Sequence, residues 1–397
     1  MMSRFWRGLL GVWLVVTALP VAWAATSHVV GVIELSGDPR YSPRRMERAY
    51  PGHPTSRAVE GLRLGLSDSG YELRSQGLSV DVQVVSIREA SDLPTALKEL
   101  AARKVGHLVA DLPPELLRAL VQQAPGAMGS VVIFNTTQDD DGLRGEHCAP
   151  FLLHTLPSRA MLSDALSQYL AAQKWTQVLS LTGPSAGDAL QRQALERSAR
   201  RFGVRLVEQK PFKLTGDPRE RDLGNVRLLT ANRQADVVWV NDADGEFART
   251  VPYTTNLPRP VVGASGLTPL AWHPQHERFG APQLSRRFIR QTSKPMVGHD
   301  WASWIAGRAM AAALLAHPKG PVSEQLRALR TGAITLDGFK GKQLTFRSWD
   351  GQLRQPVFLS HGDGVIGMAP MEGVLHPTDV MDTLGFEERE SACRRRQ

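Results

Sequence analysis

The stretch Cys148-Ala149-Pro150-Phe151-Leu152-Leu153-His154-Thr155-Leu156-Pro157-Ser158 decides how this chain divides. Its short apolar run, Phe151 to Leu153, is stopped by Pro157 and followed by Ser158, a residue type that caps helices. On its N-terminal side lie three strand-then-helix units closed by a fourth strand, and on its C-terminal side a second such series begins. A strand that leaves one domain and enters another fits this placement. The stretch therefore reads as the first hinge crossing of a two-lobed protein, with the functional site in the cleft beside it.

Toward the N-terminus, His28 to Leu35 is a buried strand candidate ending at Ser36-Gly37. A long loop follows, Asp38 to Pro54, carrying Arg40, Tyr41, Arg44, Arg45, Arg48, Tyr50 and His53. Loops of this length inside compact domains are functional or disordered, and a position directly after the first strand favours a cleft-facing role. Val59, Leu62 and Leu66 keep helical spacing from Ser56 to Ser69, and Ser79 to Val85 alternates as a strand does. A helix from Asp92 to Arg103, a strand at His107 to Ala110, a helix opened by Pro113-Pro114 and a strand at Ser130 to Phe134 complete the first half. The last strand delivers Asn135-Thr136-Thr137 at its end.

Toward the C-terminus, Met161, Leu162, Ala165, Leu166, Tyr169 and Leu170 form a helical stripe started by Ser158. Val178 to Leu181 is a strand running into Thr182 to Gly187; a helix through Arg201 ends at Gly203, and Val204 to Val207 follows as a strand. A helix near Asp222 to Asn232 precedes the strand Asp236 to Val240, which ends in Asn241-Asp242-Ala243-Asp244. Pro258 to Gly263 returns the chain to the first lobe. An alanine-rich helix spans His299 to Ala316 and another about Ser323 to Arg330. Two short strands, Leu344 to Phe346 and Val357 to Leu359, flank the hairpin signal Trp349-Asp350-Gly351-Gln352. The alternation predicts an α/β fold of two doubly wound parallel-sheet lobes. Lobe 1 is assigned 25–153 with 260–334 and lobe 2 is assigned 154–259 with 335–385, leaving 386–397 as a basic tail.

At 397 residues the chain has room for two domains, and its apolar and charged fractions are those of an ordinary globular protein. Arg4 and Arg7, the apolar run Gly8 to Val21 and the small-x-small Ala22-Trp23-Ala24 predict a secretory signal peptide at 1–24, cleaved after Ala24. Pro20 and the lack of following stop-transfer charges disfavour a membrane anchor. The formal charge of +8 becomes +6 once Arg4 and Arg7 are removed, and three of those charges are Arg394-Arg395-Arg396. Aromatic residues do not interleave with the basic ones, which argues against nucleic acid as a partner. Cys148 and Cys393 permit at most one intramolecular disulfide, and an oxidising compartment allows it; two free thiols are the other reading.

These features resemble the type I periplasmic substrate-binding proteins of ABC transporters, in the branched-chain amino acid receptor group. The resemblance rests on Thr155-Leu156-Pro157-Ser158, on Asp300-Trp301-Ala302-Ser303-Trp304 opening a late helix, and on Gly338-x-x-Gly341-x-x-x-x-Phe346. A narrower resemblance is to substrate-binding components associated with pyrroloquinoline-quinone-dependent alcohol dehydrogenase systems. It rests on Glu47 to Pro54, Pro157 to Met161, Arg259 to Gly263, Gly280 to Leu284 and His299-Asp300-Trp301. What it implies is a periplasmic monomer with two lobes joined by three crossings, closing on a small-molecule ligand and presenting the closed form to an ABC permease in the inner membrane. No cofactor and no catalytic residue are expected. One departure stands out: Asp111-Leu112-Pro113-Pro114 occupies the place where such receptors carry small or hydroxyl residues for an α-carboxylate. A carboxylate there would repel an anionic group, which favours neutral alcohols, aldehydes or a cation.

In open parallel sheets, ligands sit beyond the carboxyl ends of the strands. That rule selects Ser36, Asp111, Asn135, Thr136 and Thr137 from lobe 1 and Ser185, Asn241 and Asp242 from lobe 2. The resemblance adds Ser265 and Trp301. Turn and cap chemistry is the competing account of each. Asp139-Asp140-Asp141-Gly142 and Asp242-x-Asp244-Gly245 lack the ligand spacing of a calcium loop and read as solvated turns. His273-x-x-His276 reads as a surface loop rather than a metal site. A secreted enzyme or redox accessory of a quinone-dependent dehydrogenase, and a ligand-sensing domain, are the competing functions.

Overall fold

The computed structural model describes residues 26–393. The stretch 1–24, expected to be a signal peptide, and Arg394-Arg395-Arg396 lie outside the described residues. Lobe 1 opens with β1 (Thr26–Leu35), followed by α1 (Pro43–Arg48) within the long loop, α2 (Ala58–Asp68), α3 (Gly70–Ser75) and β2 (Leu78–Ile87). It continues through α4 (Leu93–Ala102), β3 (His107–Asp111), α5 (Pro114–Met128), β4 (Val132–Asn135) and β5 (Leu152–His154). The strands order as β2-β1-β3-β4-β5, all parallel. β3 and β4 are buried from end to end, as strands covered on both faces must be. Leu97, Leu100, Leu117 and Leu120 of α4 and α5 cover one face; Leu62 and Leu66 of α2 cover the other.

Lobe 2 runs through α6 (Arg159–Ala172), β6 (Gln177–Thr182), α7 (Ala186–Phe202), β7 (Arg205–Pro211), α8 (Val226–Leu229), β8 (Val237–Asn241), α9 (Val251–Thr254), β9 (Val261–Gly263) and β10 (Leu267–Leu270). The chain then crosses to α10 (Ala281–Thr292), α11 (Gly298–Ala316) and α12 (Val322–Arg330), and on through β11 (Leu336–Asp337) and β12 (Gln343–Leu344). It ends in lobe 2 with β13 (Val357–His361) and β14 (Gly364–Ala369). The second sheet orders as β14-β13-β10-β9-β8-β6-β7, a parallel core extended by an antiparallel hairpin. α11 belongs to lobe 1, packed on α2 so closely that a Cβ at Gly65 would lie 2.1 Å from the Trp304 carbonyl oxygen.

Several expectations shift. The return to lobe 1 does not occur at Pro260, because β9 and β10 pair into the second sheet; it falls after Leu270. A jog at Gly263 and Gly266 keeps β10 parallel, and at Gly266 (φ 72°) a Cβ would meet the Val261 carbonyl oxygen at 2.1 Å. Leu336 and Leu344 bury in the lobe 1 core, so the third crossing lies beyond them rather than at residue 335. The helix expected at Asp222 to Asn232 is a 3-10 turn, Pro218–Gly224, followed by the short α8. The C-terminal hairpin turns at Gly362-Asp363 instead of Asp350-Gly351, although the latter does bend the chain between the bridged residues Phe346 and Leu353.

The first and third crossings lie side by side. His154 donates its N–H to the Gly351 carbonyl and accepts from the Leu353 N–H, both at 2.8 Å. Buried Arg144 clamps them, donating to Gln352 Oε1 at 3.0 Å and to the Leu156 carbonyl at 2.8 Å. Cys148 and Cys393 are bridged, with Cα atoms 5.7 Å apart. The segment to Cys393 is not a loose basic tail: Arg201 pairs with Glu387 at 2.6 Å and Arg197 with Glu390 at 2.9 Å on α7. That segment is thus bolted to lobe 2 and covalently joined to the β4–β5 loop of lobe 1. His273 and His276 are buried, not on a surface loop, and the His276 ring lies 4.5 Å from that of Phe358. Among the described residues no helix is long and apolar enough to cross a membrane.

Candidate functional site

The long loop after β1 is the part of lobe 1 that reaches the other lobe. Asp38 caps its first turn by accepting from the Arg40 N–H at 2.9 Å, and Ser42-Pro43 starts α1. Beyond α1 the chain runs along the mouth between the lobes. Arg45 pairs with Asp244 and Arg48 with Glu246, both in the loop after β8. Tyr50 packs against Gly245, and His53 reaches the Ala243 backbone. The loop is anchored behind by Asp300, the acid in the first turn of α11, which accepts from the Ser56 hydroxyl and from the Val297 N–H at 2.8 Å.

Between loop and lobes lie two adjoining hollows, about 290 and 260 Å³, sharing Gly52, His53, Asp139, Leu162, Ala243 and Pro269 as walls. Lobe 1 contributes Arg40, Thr137 and His299; lobe 2 contributes Ser163, Trp239, Asn241, Asp242 and Thr268. Among the described residues, four buried polar atoms of this lining have no protein partner: Thr137 Oγ1, Ser163 Oγ, Asn241 Oδ1 and Thr268 Oγ1. Buried polar groups are otherwise nearly always bonded, so this concentration marks where hydrogen-bonding capacity is held in reserve. His299 is neutral, because burial first and the Arg40 charge second push its pKa down to about 3. Burial raises the pKa of Asp242 against the backbone N–H bonds from Ala248 and Gly245.

The sequence-selected residues divide sharply. Thr137, Asn241 and Asp242 line the cleft. Asp111 does not: it is fully buried, bonded to Tyr41 Oη at 2.7 Å and Arg40 Nη2 at 3.1 Å, with Arg57 at 3.6 Å. Two guanidinium groups compensate its charge, which removes the argument that it repels an anionic ligand. Asn135 is spent on structure, donating to the Gln138 carbonyl at 2.8 Å and accepting the Gln138 N–H at 2.9 Å. Thr136 is buried behind it, with its hydroxyl unpaired. Ser36 is exposed at the β1 end, its N–H donated to Ile87. Ser185 caps α7 in a capping box with Asp188.

Trp301 is core rather than cleft. Its indole N–H donates to the Gly338 carbonyl at 3.0 Å, its ring stacks on Trp272 at 6.2 Å, and the buried Lys340 ammonium sits 3.5 Å from the ring centroid. Ser265 lines an adjoining compartment beyond the Tyr50–Gly52 stretch. The acidic run after β4 is not a solvated turn either: Asp139 pairs with Arg159 at 2.7 Å, Asp140 with Arg118 at 2.7 Å, and Asp141 accepts the Ala160 N–H at 3.0 Å. Asp139 and Asp141 fasten lobe 1 to the start of α6, while Asp140 ties the same loop to α5. His53 belongs to the loop expected to face the cleft, whereas Arg159, Ser163, Thr268 and His299 were not selected as ligand contacts from sequence. Ser163 carried no sequence signal: its burial, with that of Ser167 and Gln168, is apparent only in the fold.

No family model matches the chain, and no curated protein matches it in sequence. Solved structures do match in fold. A branched-chain amino acid ABC transporter periplasmic ligand-binding protein from Burkholderia xenovorans LB400 superposes with a TM-score of 0.67 at 16% identity, over 92% of this chain and 98% of that one. A periplasmic binding protein from Burkholderia mallei gives 0.66 at 13% identity, over 93% and 98%. A solute-binding protein of an ABC transporter from R. palustris, in complex with benzoate, gives 0.64 at 15% identity, over 93% and 100%. The fold is that of type I periplasmic binding proteins, with two lobes.

Proposed function

We propose that this chain is the periplasmic ligand-binding component of an ABC-type transport system, a binding protein rather than an enzyme, whose lobes close by hinge motion over one small polar ligand. The observation that carries the reading is the set of unpaired buried polar atoms contributed by both lobes to one cleft. A ligand that bonds to both lobes binds the closed form better than the open one, which is what hinge closure requires. Asn241 Oδ1 calls for a ligand donor, and the three hydroxyls accept or donate. With Asp111 neutralised, carboxylate-bearing ligands stand beside alcohols and aldehydes. The finer reading, service to a quinone-dependent alcohol oxidation system, is supported by where its sequence runs fall: Tyr50 to His53, Pro157, Arg159, Gly263 and His299 all line the cleft.

The test is a thermal-shift screen of the mature protein against short alcohols, aldehydes, carboxylates, amino acids and the quinone, because a ligand of the native state alone raises the melting temperature. Thr137→Val with Ser163→Ala removes one unpaired hydroxyl from each lobe and leaves the hydrogen bonds within the protein in place. The pair should weaken binding of the best compound about 5- to 150-fold, at about 0.5–1.5 kcal/mol per bond, without lowering the melting temperature of the free protein. A panel that shifts nothing, or turnover of a panel member by the purified chain, overturns the proposal.

A further inference from the structure

The compartment that holds Ser265 is about 540 Å³, larger than either hollow of the cleft, and adjoins them across Tyr50-Pro51-Gly52, with Thr268, Leu270 and Gly298 as further shared walls. Three of its lining side chains carry polar atoms with no protein partner: Trp272 Nε1, Thr268 Oγ1 and Ser360 Oγ. Trp272, Thr268 and Ser360 are 1%, 7% and 3% exposed, so water does not readily satisfy them. Trp272 is also rigid, packed against Trp301 at 6.2 Å and Phe358 at 5.9 Å, which fixes the direction of its N–H. Tyr50 and Tyr253 add ring surface, Tyr253 being 87% exposed at the rim.

The electrostatics differ from those of the cleft. Arg40, Arg45 and Arg159 line the cleft, whereas the compartment has no lysine or arginine among its described lining residues, and Asp363 is its one carboxylate. An anionic ligand would meet that carboxylate with no lysine or arginine to pair with, only His273, His361 and the start of α11. An organic cation would meet Val297 and Gly298, the positive end of the 19-residue α11. A purely apolar ligand would leave the indole N–H and both hydroxyls unpaired. Groups that donate and accept at once suit serine and threonine hydroxyls, and such a group also accepts from the indole. We infer that this compartment is a second binding site, for a neutral polyhydroxylated small molecule such as a monosaccharide or cyclic polyol, adjoining the inter-lobe cleft and sharing Thr268 with it.

Titration calorimetry of the mature chain tests this with D-glucose and myo-inositol as neutral probes and with choline and benzoate as charged controls. At least one neutral probe should bind saturably at millimolar concentration. Ser360→Ala and Tyr253→Ala, the latter at an exposed position, should each weaken that binding about fivefold or more. Thr137→Val with Ser163→Ala, confined to the cleft, should leave it unchanged. The inference is overturned if neither neutral probe binds, if the cleft pair abolishes the binding instead, or if choline or benzoate displaces the sugar or polyol.

Discussion

Replacing Asp300 by asparagine separates charge from shape at the point where the cleft loop is tied to α11. Asp300 is 1% exposed. Its oxygens accept from the Ser56 hydroxyl and the Val297 N–H, bonds that favour the ionised form. Burial outweighs them and pushes the pKa from 3.8 up to about 7. The folded chain therefore holds a proton that the unfolded chain releases. Stability from this group is intact below about pH 4 and is lost as pH rises through about 7. The difference of roughly three pKa units, at 1.36 kcal/mol each, comes to about 4 kcal/mol. Asparagine has no such proton to hold. Between about pH 4 and pH 8 the stability of Asp300→Asn, relative to the parent, should move in the variant's favour by about 4 kcal/mol. Urea unfolding of both proteins at the two pH values reads this directly. A gap that is the same at both pH values refutes the reasoning, because Asp300 would then be ionised in the folded chain throughout.

Other outcomes follow from the contacts between lobes. Arg45→Ala with Arg48→Ala removes two half-exposed ion pairs worth about 0.2–1 kcal/mol each, so affinity for the cleft ligand should fall about 2- to 30-fold at low salt. At high salt the difference should vanish, and calorimetry at two ionic strengths checks both statements. Cys148→Ser with Cys393→Ser opens a link between residues 245 apart in sequence. Chain entropy sets an upper figure of about 5 kcal/mol for the loss, to be read as a lower urea midpoint that reductant does not lower further.

The architecture was legible because it is written in local pattern. Buried parallel strands are continuous apolar runs, and Ser158 announces a helix start that the structure realises as a cap; Ser185, selected as a ligand contact, proves to be a cap as well. What sequence could not supply was pairing. Nothing in Val261–Gly263 or Leu267–Leu270 says which sheet they join; that depends on two glycines letting the chain jog beside β8. The site was half legible for the same reason. The strand-end rule finds Thr137, Asn241 and Asp242, whose neighbours leave them facing the cleft. It also selects Asn135 and Asp111, whose side chains are consumed by Gln138, Tyr41 and two arginines brought in from far along the chain. Whether a polar side chain is spent or spare is a property of its surroundings in space. The cleft loop, by contrast, declared itself through its length and its run of arginines.

The account stands on two lobes that shut over a small guest. Small-angle scattering of the mature chain, alone and saturated with the compound that most raises its melting temperature, tests this without intermediaries. The account predicts a smaller radius of gyration with ligand, and a curve that matches the lobes in contact through Arg45–Asp244 and Arg48–Glu246. Superimposable curves, from a compound that demonstrably binds, would contradict it.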